Sequence, residues 1–281
     1  MNEDSSMRPL KHRHILGTRV DATSYADATA RIVRWAQARE SRYVCVCTVH
    51  MIMEAYDSDS FRDIVNGADL VTPDGMPLVW TLRVTGIRHT PRVDGPSLTP
   101  YICEGAAKAG IPIGVYGGTE QSQADFRKAM QMRYPDLKIA CTISPPFRPL
   151  TKEDDARYER EIIESGARII LVAFGCPKQE RWMVARRGRI PVVMVGVGAA
   201  LDFQSGLLRR APIWMQKMGL EWFFRLMMEP RRLLPRYARH NPRFIFLLLA
   251  QLLHLRKFDP GTHDEGRSGQ LTSAGAKPKN H

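Results

Sequence analysis

The clearest structural pattern in the chain lies at residues 168–198, RIILVAFGCPKQERWMVARRGRIPVVMVGVG. Two short apolar runs, 168–175 and 191–198, end in glycine and are separated by a polar segment long enough for a helix. A continuous apolar run indicates a strand that is buried on both faces, as in a parallel sheet covered by helices. The pattern therefore predicts a strand–helix–strand unit with parallel strands.

The same alternation precedes this unit. Four further apolar runs lie at 43–49, 69–72, 113–117 and 138–143, with helical patterns between them. We predict an α/β fold of Rossmann-like type, with a mostly parallel sheet and helices on both faces. A length of 281 residues with 44% hydrophobic residues is sufficient for a sizeable core.

Residues 209–257, here called the C-terminal segment, differ from the rest in charge. They contain nine Arg and two Lys against two Glu, so +9 of the formal net charge of +12 lies here. Apolar and aromatic residues interleave with these cations at roughly helical spacing, and the ten residues 244–253 are uncharged. Ten residues cannot span a bilayer, which needs about 20. Basic amphipathic helices favour an anionic membrane surface, and an ordinary core with a solvated Arg face is the alternative.

A nucleic-acid partner and a secreted location are both less favoured. No nucleic-acid-binding motif accompanies the basic charge, so we expect no nucleic-acid partner. Five cysteines, two of them in the predicted strand at 43–49, suit reduced thiols in a cytosol. The N-terminal residues lack the apolar core of a signal peptide. We therefore expect a cytoplasmic protein, peripherally bound to the inner face of the plasma membrane.

No metal and no cofactor is predicted. The cysteines and histidines do not follow the spacing of known metal-binding patterns. The sequence Asp57-Ser58-Asp59 has the D-x-D form that many nucleotide-sugar enzymes use for a divalent metal, but it falls within a predicted helix over 50–65. A metal that binds the nucleotide-sugar would lie at a strand end, so we do not predict a metal site at Asp57 and Asp59.

Polar residues and glycines follow most of the predicted strands, and ligands of open parallel sheets bind at the carboxyl ends of the strands. These residues are Thr48, His50, Asp74, Gly75, Gly117, Gly118, Gln179 and Glu180. The pair Gly117-Gly118, before a helix, can cradle a pyrophosphate, and a tight turn alone is the alternative.

Asp74 is the sharpest candidate for acid–base chemistry. Pro73 restricts φ before it, Gly75 allows close approach after it, and a helix near Met76 would direct its positive end at the carboxylate. A plain helix cap is the alternative. Spacing alone does not rank Asp74 against the other candidate carboxylates, which are Asp94, Asp202 and Glu180.

Seven motifs together resemble the WecG/TagA/CpsF glycosyltransferases, glycosyltransferase family 26. They are TPDG (72–75), RVDG (92–95), VYGG (115–118), FGCPKQE (174–180), GVGAALDFQSG (196–206), RAPIWMQKMGLEWFFRL (210–226) and EPRRLLPRY (229–237). The likeness extends from about residue 14 to residue 245, with the motifs in the same order. It implies an inverting, metal-independent transferase of bacterial envelope or exopolysaccharide synthesis.

The resemblance also implies substrates and residue roles. The donor would be a UDP-sugar and the acceptor a polyprenyl-diphosphate-linked saccharide, with an anionic membrane surface as a further partner and a homo-oligomer left open. Asp74 would be the general base, and Arg92 the second catalytic residue. The expected substrate-binding residues are Thr48, His50, Gly75, Gly117, Gly118, Gln179, Glu180, Asp202, Arg225, Arg231 and Arg232. The expected organisation is a disordered tail (1–13), a Rossmann-like catalytic domain (14–208), a membrane-docking appendage (209–257) and a second disordered tail (258–281).

Two positions depart from the family pattern. His50 stands where the family usually has Asn, and Ser97 stands where it usually has Asp, so the identity of the donor sugar is open. Two other classes of function compete with the transferase. A nicotinamide-dependent oxidoreductase would need G-x-G-x-x-G after the first strand, where the chain has Thr48-Val49-His50. A non-enzymatic membrane scaffold would leave the polar strand ends unexplained.

Overall fold

The structure is a computed structural model that describes residues 8–146 and 148–259. The strands are β1 His12–Ile15, β2 Thr18–Asp21, β3 Arg42–Cys47, β4 Leu70–Pro73, β5 Ile113–Tyr116, β6 Ile139–Ile143, β7 Ile169–Val172 and β8 Val193–Gly196. The helices are α1 Tyr25–Gln37, α2 Val49–Asp57, α3 Asp59–Asn66, α4 Met76–Val84, α5 Gly95–Lys108, α6 Glu120–Arg133, α7 Lys152–Glu164, α8 Lys178–Arg186, α9 Ala200–Gln204, α10 Ile213–Lys217, α11 Glu221–Met228 and α12 Pro230–Leu252.

The central sheet is parallel and has the order β4-β3-β8-β7-β5-β6 within the described residues. All six predicted strands are present, so the predicted α/β fold is confirmed. Side chains alternate between the two faces of the sheet, because successive residues of a strand point in opposite directions. In β3, Val44 and Val46 belong to one core cluster, whereas Cys45 and Cys47 belong to the other. Helices α1, α5 and α6 cover the first face, and α2, α3, α8 and α12 cover the second.

An antiparallel hairpin, β1–β2, was not predicted from the sequence. It is fixed beside β4 by buried polar contacts: Arg19 donates to the carbonyls of Asn66 and Ala68, and Asp21 accepts from the backbone N–H of Val71. Strand β1 begins at His12, two residues before the expected boundary at residue 14. The first seven residues of the expected tail lie outside the described residues.

The helix predicted over 50–65 is in fact two helices, α2 and α3. Ser58 separates them, because its hydroxyl accepts from the backbone N–H of Phe61 and caps α3. Each carboxylate of the D-x-D sequence has an arginine partner: Asp57 pairs with Arg243 at 2.7 Å, and Asp59 pairs with Arg62 at 2.9 Å.

The C-terminal segment forms α10, α11 and α12, and α12 packs on α2. Leu233, Phe244 and Leu247 of α12 are buried, and Gln251 bonds to the turn that follows β1. Phe258 packs on Tyr56, with 6.1 Å between ring centroids, so chain packing continues past the expected boundary at residue 257. The expected tail from residue 260 onward lies outside the described residues. In the described part of the chain, no helix combines the length and the apolar character needed to cross a membrane.

Candidate active site

Asp74 lies at the carboxyl edge of the sheet, directly after β4. Its backbone N–H donates to the carbonyl of Cys47, the last residue of β3, at 2.8 Å. Gly75 follows with a φ of 124°, which side-chain-bearing residues rarely adopt, and α4 begins at Met76, as predicted. The Asp74 side chain is 17% exposed, so a substrate hydroxyl can reach its carboxylate.

Three carboxylates surround the guanidinium of Arg92. Nη2 donates to Oδ1 of Asp74 at 3.1 Å, and Nη1 donates to Oε2 of Glu221 at 2.5 Å. Nε lies 3.8 Å from Oδ2 of Asp94. Because Glu221 is the first residue of α11, this cluster connects the C-terminal segment to the strand-end residues. The charge of Arg92 is compensated by these partners, and its bond to Asp74 orients that carboxylate.

The surroundings of Asp74 raise its pKa to about 6. Burial is the main cause, because it disfavours the charged form. Arg92 opposes this effect, whereas the negative charges of Asp94 and Glu221 add to it. A carboxyl group whose pKa lies near neutral pH is suited to accept a proton during a reaction and to release it afterwards.

Asp94 has a structural role beside Asp74. It caps α5: Oδ1 accepts from the backbone N–H of Ser97 at 2.9 Å, and Oδ2 accepts from the Tyr25 hydroxyl at 2.6 Å. Arg210 of the C-terminal segment donates to Oδ1 of Asp94 at 3.1 Å and to the Ser97 hydroxyl at 2.9 Å. Burial favours a higher pKa for Asp94, but the neighbouring guanidinium groups and these hydrogen bonds hold it below its usual value. Asp94 is therefore an ionised, fully partnered carboxylate and a weaker candidate than Asp74 for proton transfer.

Gln179 joins two glycine turns at the same edge. Its Oε1 accepts from the backbone N–H of Gly175 at 3.1 Å and of Gly198 at 3.2 Å, and its Nε2 donates to Glu180 at 2.7 Å. Gln179 and Glu180 are both buried, and burial raises the pKa of Glu180 to about 7. These contacts shape the loops after β7 and β8. Contact of either side chain with a substrate stays a prediction.

The turn after β5 requires glycine for packing. Gly117 and Gly118 have φ of 103° and 79°, and a Cβ atom at Gly117 would lie 2.8 Å from the carbonyl oxygen of Ala173. Thr119 caps α6 by accepting from the backbone N–H of Ser122 at 3.1 Å. Packing alone thus accounts for these glycines, and their binding of a pyrophosphate stays a prediction.

Thr48 and His50 begin α2, at the carboxyl end of β3. The Thr48 hydroxyl caps the helix by accepting from the backbone N–H of Met51 at 3.2 Å. The His50 ring packs against His240 of α12, with 5.0 Å between ring centroids. Burial, assisted by the positive charge of Arg236, lowers the pKa of His50 to about 4. His50 thus connects the strand-end residues to the C-terminal segment.

Comparison with known proteins gives the class of enzyme. A family profile described as "Glycosyl transferase WecG/TagA/CpsF family" matches residues 13–258. The chain belongs to this family of glycosyltransferases. The N-acetylglucosaminyldiphosphoundecaprenol N-acetyl-beta-D-mannosaminyltransferase of Bacillus subtilis (strain 168) is 30% identical to it over 188 residues, which are 65% of this chain and 71% of that relative. The resemblance stated from the sequence motifs is confirmed.

In this glycosyltransferase, two of the three arginines expected to bind substrate face the loop after β8. The guanidinium of Arg225 lies 5.5 Å from the ring centroid of Phe203 in α9. Burial raises the pKa of Asp202, also in α9, and the charge of Arg232 opposes that shift. Arg231 is exposed. Arg225 and Arg232 are therefore positioned beside α9, but Arg232 is exposed, as Arg231 is, and it pairs with Glu229.

Four residues that the fold brings to the strand ends were not identified from the sequence; they are Glu54, Arg210, Glu221 and His240. Arg210 and Glu221 arrive from the C-terminal segment, where the sequence yields only a net charge. Glu54 could have been identified, because it follows His50 by four residues on a predicted helix and so lies on the same face. No local sequence pattern connects His240 to His50 and Glu54.

Proposed function

We propose that this transferase moves a sugar from a UDP-sugar to a polyprenyl-diphosphate-linked saccharide with inversion at the anomeric carbon, and that Asp74 is the general base. The acceptor hydroxyl is far too weak an acid to ionise near neutral pH, so a base must take its proton as it attacks C1 of the donor. The new bond joins the acceptor oxygen to C1, the bond from C1 to the diphosphate breaks, and UDP leaves.

The raised pKa of Asp74 is the observation that carries this proposal. A pKa of about 6 leaves the carboxylate mostly ionised at neutral pH and able to accept the proton. Its position at the carboxyl end of β4 and its partial exposure support access for a substrate. Asp94 is partnered in a helix cap, Glu180 is buried, and the charges that act on Asp202 are those of Arg232 and Glu229 and not those of the Arg92 cluster.

Arg92 acts in this proposal as a positioning residue. Its guanidinium already contacts Asp74 and Glu221 and lies near Asp94, so it has little uncompensated charge for a leaving diphosphate. Negative charge that develops on the diphosphate needs other cations or backbone N–H groups. Arg225, whose guanidinium lies over Phe203 of α9, is the residue that we propose for this role; Arg232 contributes less, because Glu229 pairs with it.

The substrates are proposed by analogy with the relative from Bacillus subtilis. The name of that protein describes transfer of an N-acetyl-beta-D-mannosaminyl group to N-acetylglucosaminyldiphosphoundecaprenol. We propose an acceptor of the same class, a sugar linked through a diphosphate to a polyprenol, and an N-acetylhexosamine or hexose on UDP as the donor. His50 and Ser97, which depart from the family pattern, keep the donor sugar open.

A screen of UDP-sugars with a polyprenyl-diphosphate-sugar acceptor tests the proposal. Mass spectrometry of the extracted lipid should show a mass increase of one sugar residue for one donor, and none when Asp74→Asn replaces the wild type. Binding is measured in parallel by thermal shift with UDP and with NAD. Stabilisation by NAD and not by UDP, with no lipid product from any donor, would reject the transferase reaction in favour of an oxidoreductase.

Peripheral attachment to the inner face of the plasma membrane is part of the same proposal. The C-terminal segment exposes several large apolar side chains beside its cations, among them Trp214, Met227 and Phe246, which is 72% exposed. Each Lys or Arg near an anionic leaflet contributes about 1 kcal/mol, so half of the +9 charge corresponds to roughly a thousandfold partitioning. Self-association into a homo-oligomer stays a prediction.

Liposome sedimentation tests the attachment. We expect binding to vesicles with anionic lipid, with only partial release at high salt, because salt screens the charges but not the apolar contacts. Phe246→Ser should increase the fraction released by salt. Met132→Ser is the matched control, since Met132 is 77% exposed but lies outside the C-terminal segment. Equal release of both variants and the wild type would exclude the apolar contribution.

A further inference from the structure

His50, Glu54 and His240 form a cluster that lies outside the proposed steps of proton transfer and diphosphate departure, although His50 is also expected to contact the substrate. His50 and Glu54 lie one turn apart on α2, and His240 faces them from α12. Nδ1 of His50 lies 3.8 Å from Oε1 of Glu54, and Nε2 of His240 lies 3.8 Å from the same oxygen. One ligand atom from each of the three side chains falls within 4.8 Å of the others. We propose that these three residues bind a Zn²⁺ ion that links α12 to α2.

The histidines have unsatisfied hydrogen-bonding atoms. Nδ1 of His50 and Nδ1 of His240 are buried and lack a hydrogen-bond partner among the described residues. The side chain of His240 is only 7% exposed. Buried polar atoms are normally paired, so an unfilled ligand set accounts for Nδ1 of His50; His240 presents Nε2, and not Nδ1, to Glu54.

The ring of His50 presents Nδ1 to the cluster. This nitrogen lies 3.8 Å from Oε1 of Glu54 and has no hydrogen-bond partner among the described residues, so it is available as a ligand atom.

The donor set suits zinc. Two imidazole nitrogens and one carboxylate oxygen are ligands that Zn²⁺ prefers, at about 2.0–2.2 Å each. In a tetrahedral site, ligand atoms at those bond lengths lie roughly 3.4 Å apart. The two observed distances of 3.8 Å to Glu54 therefore need to close by only a few tenths of an ångström, whereas the two histidine nitrogens, which lie within 4.8 Å of each other, need to approach by up to roughly 1.4 Å. The fourth position would be filled by water or by an oxygen of a ligand.

The surrounding charges act in both directions. Glu54 contributes one negative charge close to both imidazoles. Arg236 and Arg239 oppose a cation there. The charge of Arg243 is compensated by its ion pair with Asp57.

The consequence of binding is mechanical. The helix α12 belongs to the C-terminal segment, and α2 begins at the strand end that carries Thr48. A metal bound to both helices would hold the C-terminal segment against the carboxyl edge of the sheet, in addition to the hydrophobic packing of α12. The ion takes no part in bond making or breaking, so this inference stands independently of the proposed function.

Metal content of the full chain provides the test. After removal of metals with a chelator, the protein is dialysed against Zn²⁺ and analysed by elemental mass spectrometry. We expect one Zn²⁺ per wild-type chain, and loss of that ion in His240→Ala and in Glu54→Gln. The variants His254→Ala and Cys176→Ser are controls for binding by an exposed imidazole and by a thiol, and both should retain the ion. Equal zinc content in the wild type and in His240→Ala would overturn the proposal.

A second measurement addresses the folding of the variants. Hydrogen exchange of the wild type should show that Zn²⁺ slows the amides of α12 about tenfold or more, without an effect on those of α7 and with no effect of Mg²⁺. His240→Gln, which approximates the size of the side chain, should lose the response to Zn²⁺ while it keeps the exchange pattern of the metal-free wild type. Unchanged exchange of α12 in the wild type on addition of Zn²⁺ would exclude the link between the helices.

Discussion

Replacing Arg92 by glutamine should shift the pH dependence of the reaction without removing the general base. The ionised carboxylate is the active form of Asp74, so kcat/KM of the wild type should rise with pH through about 6 and then level off. Arg92 holds the pKa of Asp74 down through the bond at 3.1 Å. Without that positive charge the pKa rises further, and the acidic limb of the profile moves to higher pH.

The size of the shift follows from the geometry. Two unit charges about 4 Å apart interact by about 4 kcal/mol at an effective dielectric constant of about 20. Since about 1.4 kcal/mol corresponds to one pKa unit, roughly three units is the upper limit for Arg92→Gln. Entry of water and movement of the released carboxylates reduce this, so we expect a shift of about one to three units. A shift of about two units lowers the ionised fraction at pH 7 by roughly tenfold.

The assay is a pH profile of kcat/KM between about 5 and 9.5 for the wild type and three variants. Arg92→Gln should lose activity at pH 7 and recover most of it at the alkaline end. Glu221→Gln should move the limb to lower pH, because the negative charge of Glu221 raises the pKa of Asp74. Glu229→Gln is the matched control from the same segment, since Glu229 pairs with Arg232 and should leave the limb in place.

A loss of activity by the same factor at every pH in Arg92→Gln would refute this reasoning. Such a result would mean that Arg92 stabilises the leaving diphosphate and does not tune the base. Circular dichroism and thermal melting of each variant separate this outcome from unfolding, because removal of one partner from a largely buried ion pair destabilises a fold by about 3–5 kcal/mol.

Three further predictions concern the base, a glycine turn and divalent metals. Asp74→Asn should lower kcat about a hundredfold or more, with little change in donor affinity measured by calorimetry. The kcat of Asp202→Asn should stay within a few-fold of wild type. A large loss in Asp202→Asn and a small one in Asp74→Asn would assign the role of base to Asp202. Gly117→Ala should lower the free energy of unfolding by about 3 kcal/mol in urea titration, because the new Cβ meets a carbonyl oxygen at 2.8 Å. Gly166→Ala also has a positive φ but meets open space, so it should cost only about 1 kcal/mol, and equal losses would contradict the steric argument. Addition of Mg²⁺ or Mn²⁺ should change turnover by less than about twofold, because the D-x-D carboxylates are paired with arginines; a large activation would show that these metals displace those pairs.

Much of the fold could be predicted because the relevant physics is local. A strand buried on both faces must be apolar throughout, so the six runs between residues 43 and 198 identify the sheet directly. Helix caps are also local: Thr119 and Thr151 each accept from a backbone N–H three residues later, as their positions before helical patterns indicate. The β1–β2 hairpin was missed because its short strands, HRHI and TRVD, are mostly polar, and its buried Arg19 and Asp21 bond, besides each other, to partners about 50 positions away.

The candidate site was only partly accessible from the sequence. The sequence identifies Asp74 and Gly75 as candidates because they follow a predicted strand, and ligands of parallel sheets bind at the carboxyl ends of strands. The family resemblance favoured Asp74 over Asp94, and the structure adds the physical distinction, because the two aspartates differ in their partners. Arg210 contacts Asp94 across 116 positions, and no periodicity in the chain encodes that contact.

The sequence alone therefore determines the six strands of the central sheet, because burial leaves a record in neighbouring residues, and its motifs determine which family the chain resembles. It also determines that the C-terminal segment is basic and amphipathic. Only the tertiary structure decides that this segment returns to the strand ends, where Glu221 bonds to Arg92 across 129 positions and His240 meets His50. The reason is that the pKa of a carboxylate and the assembly of a ligand set depend on distances in space, which the order of residues along the chain does not specify.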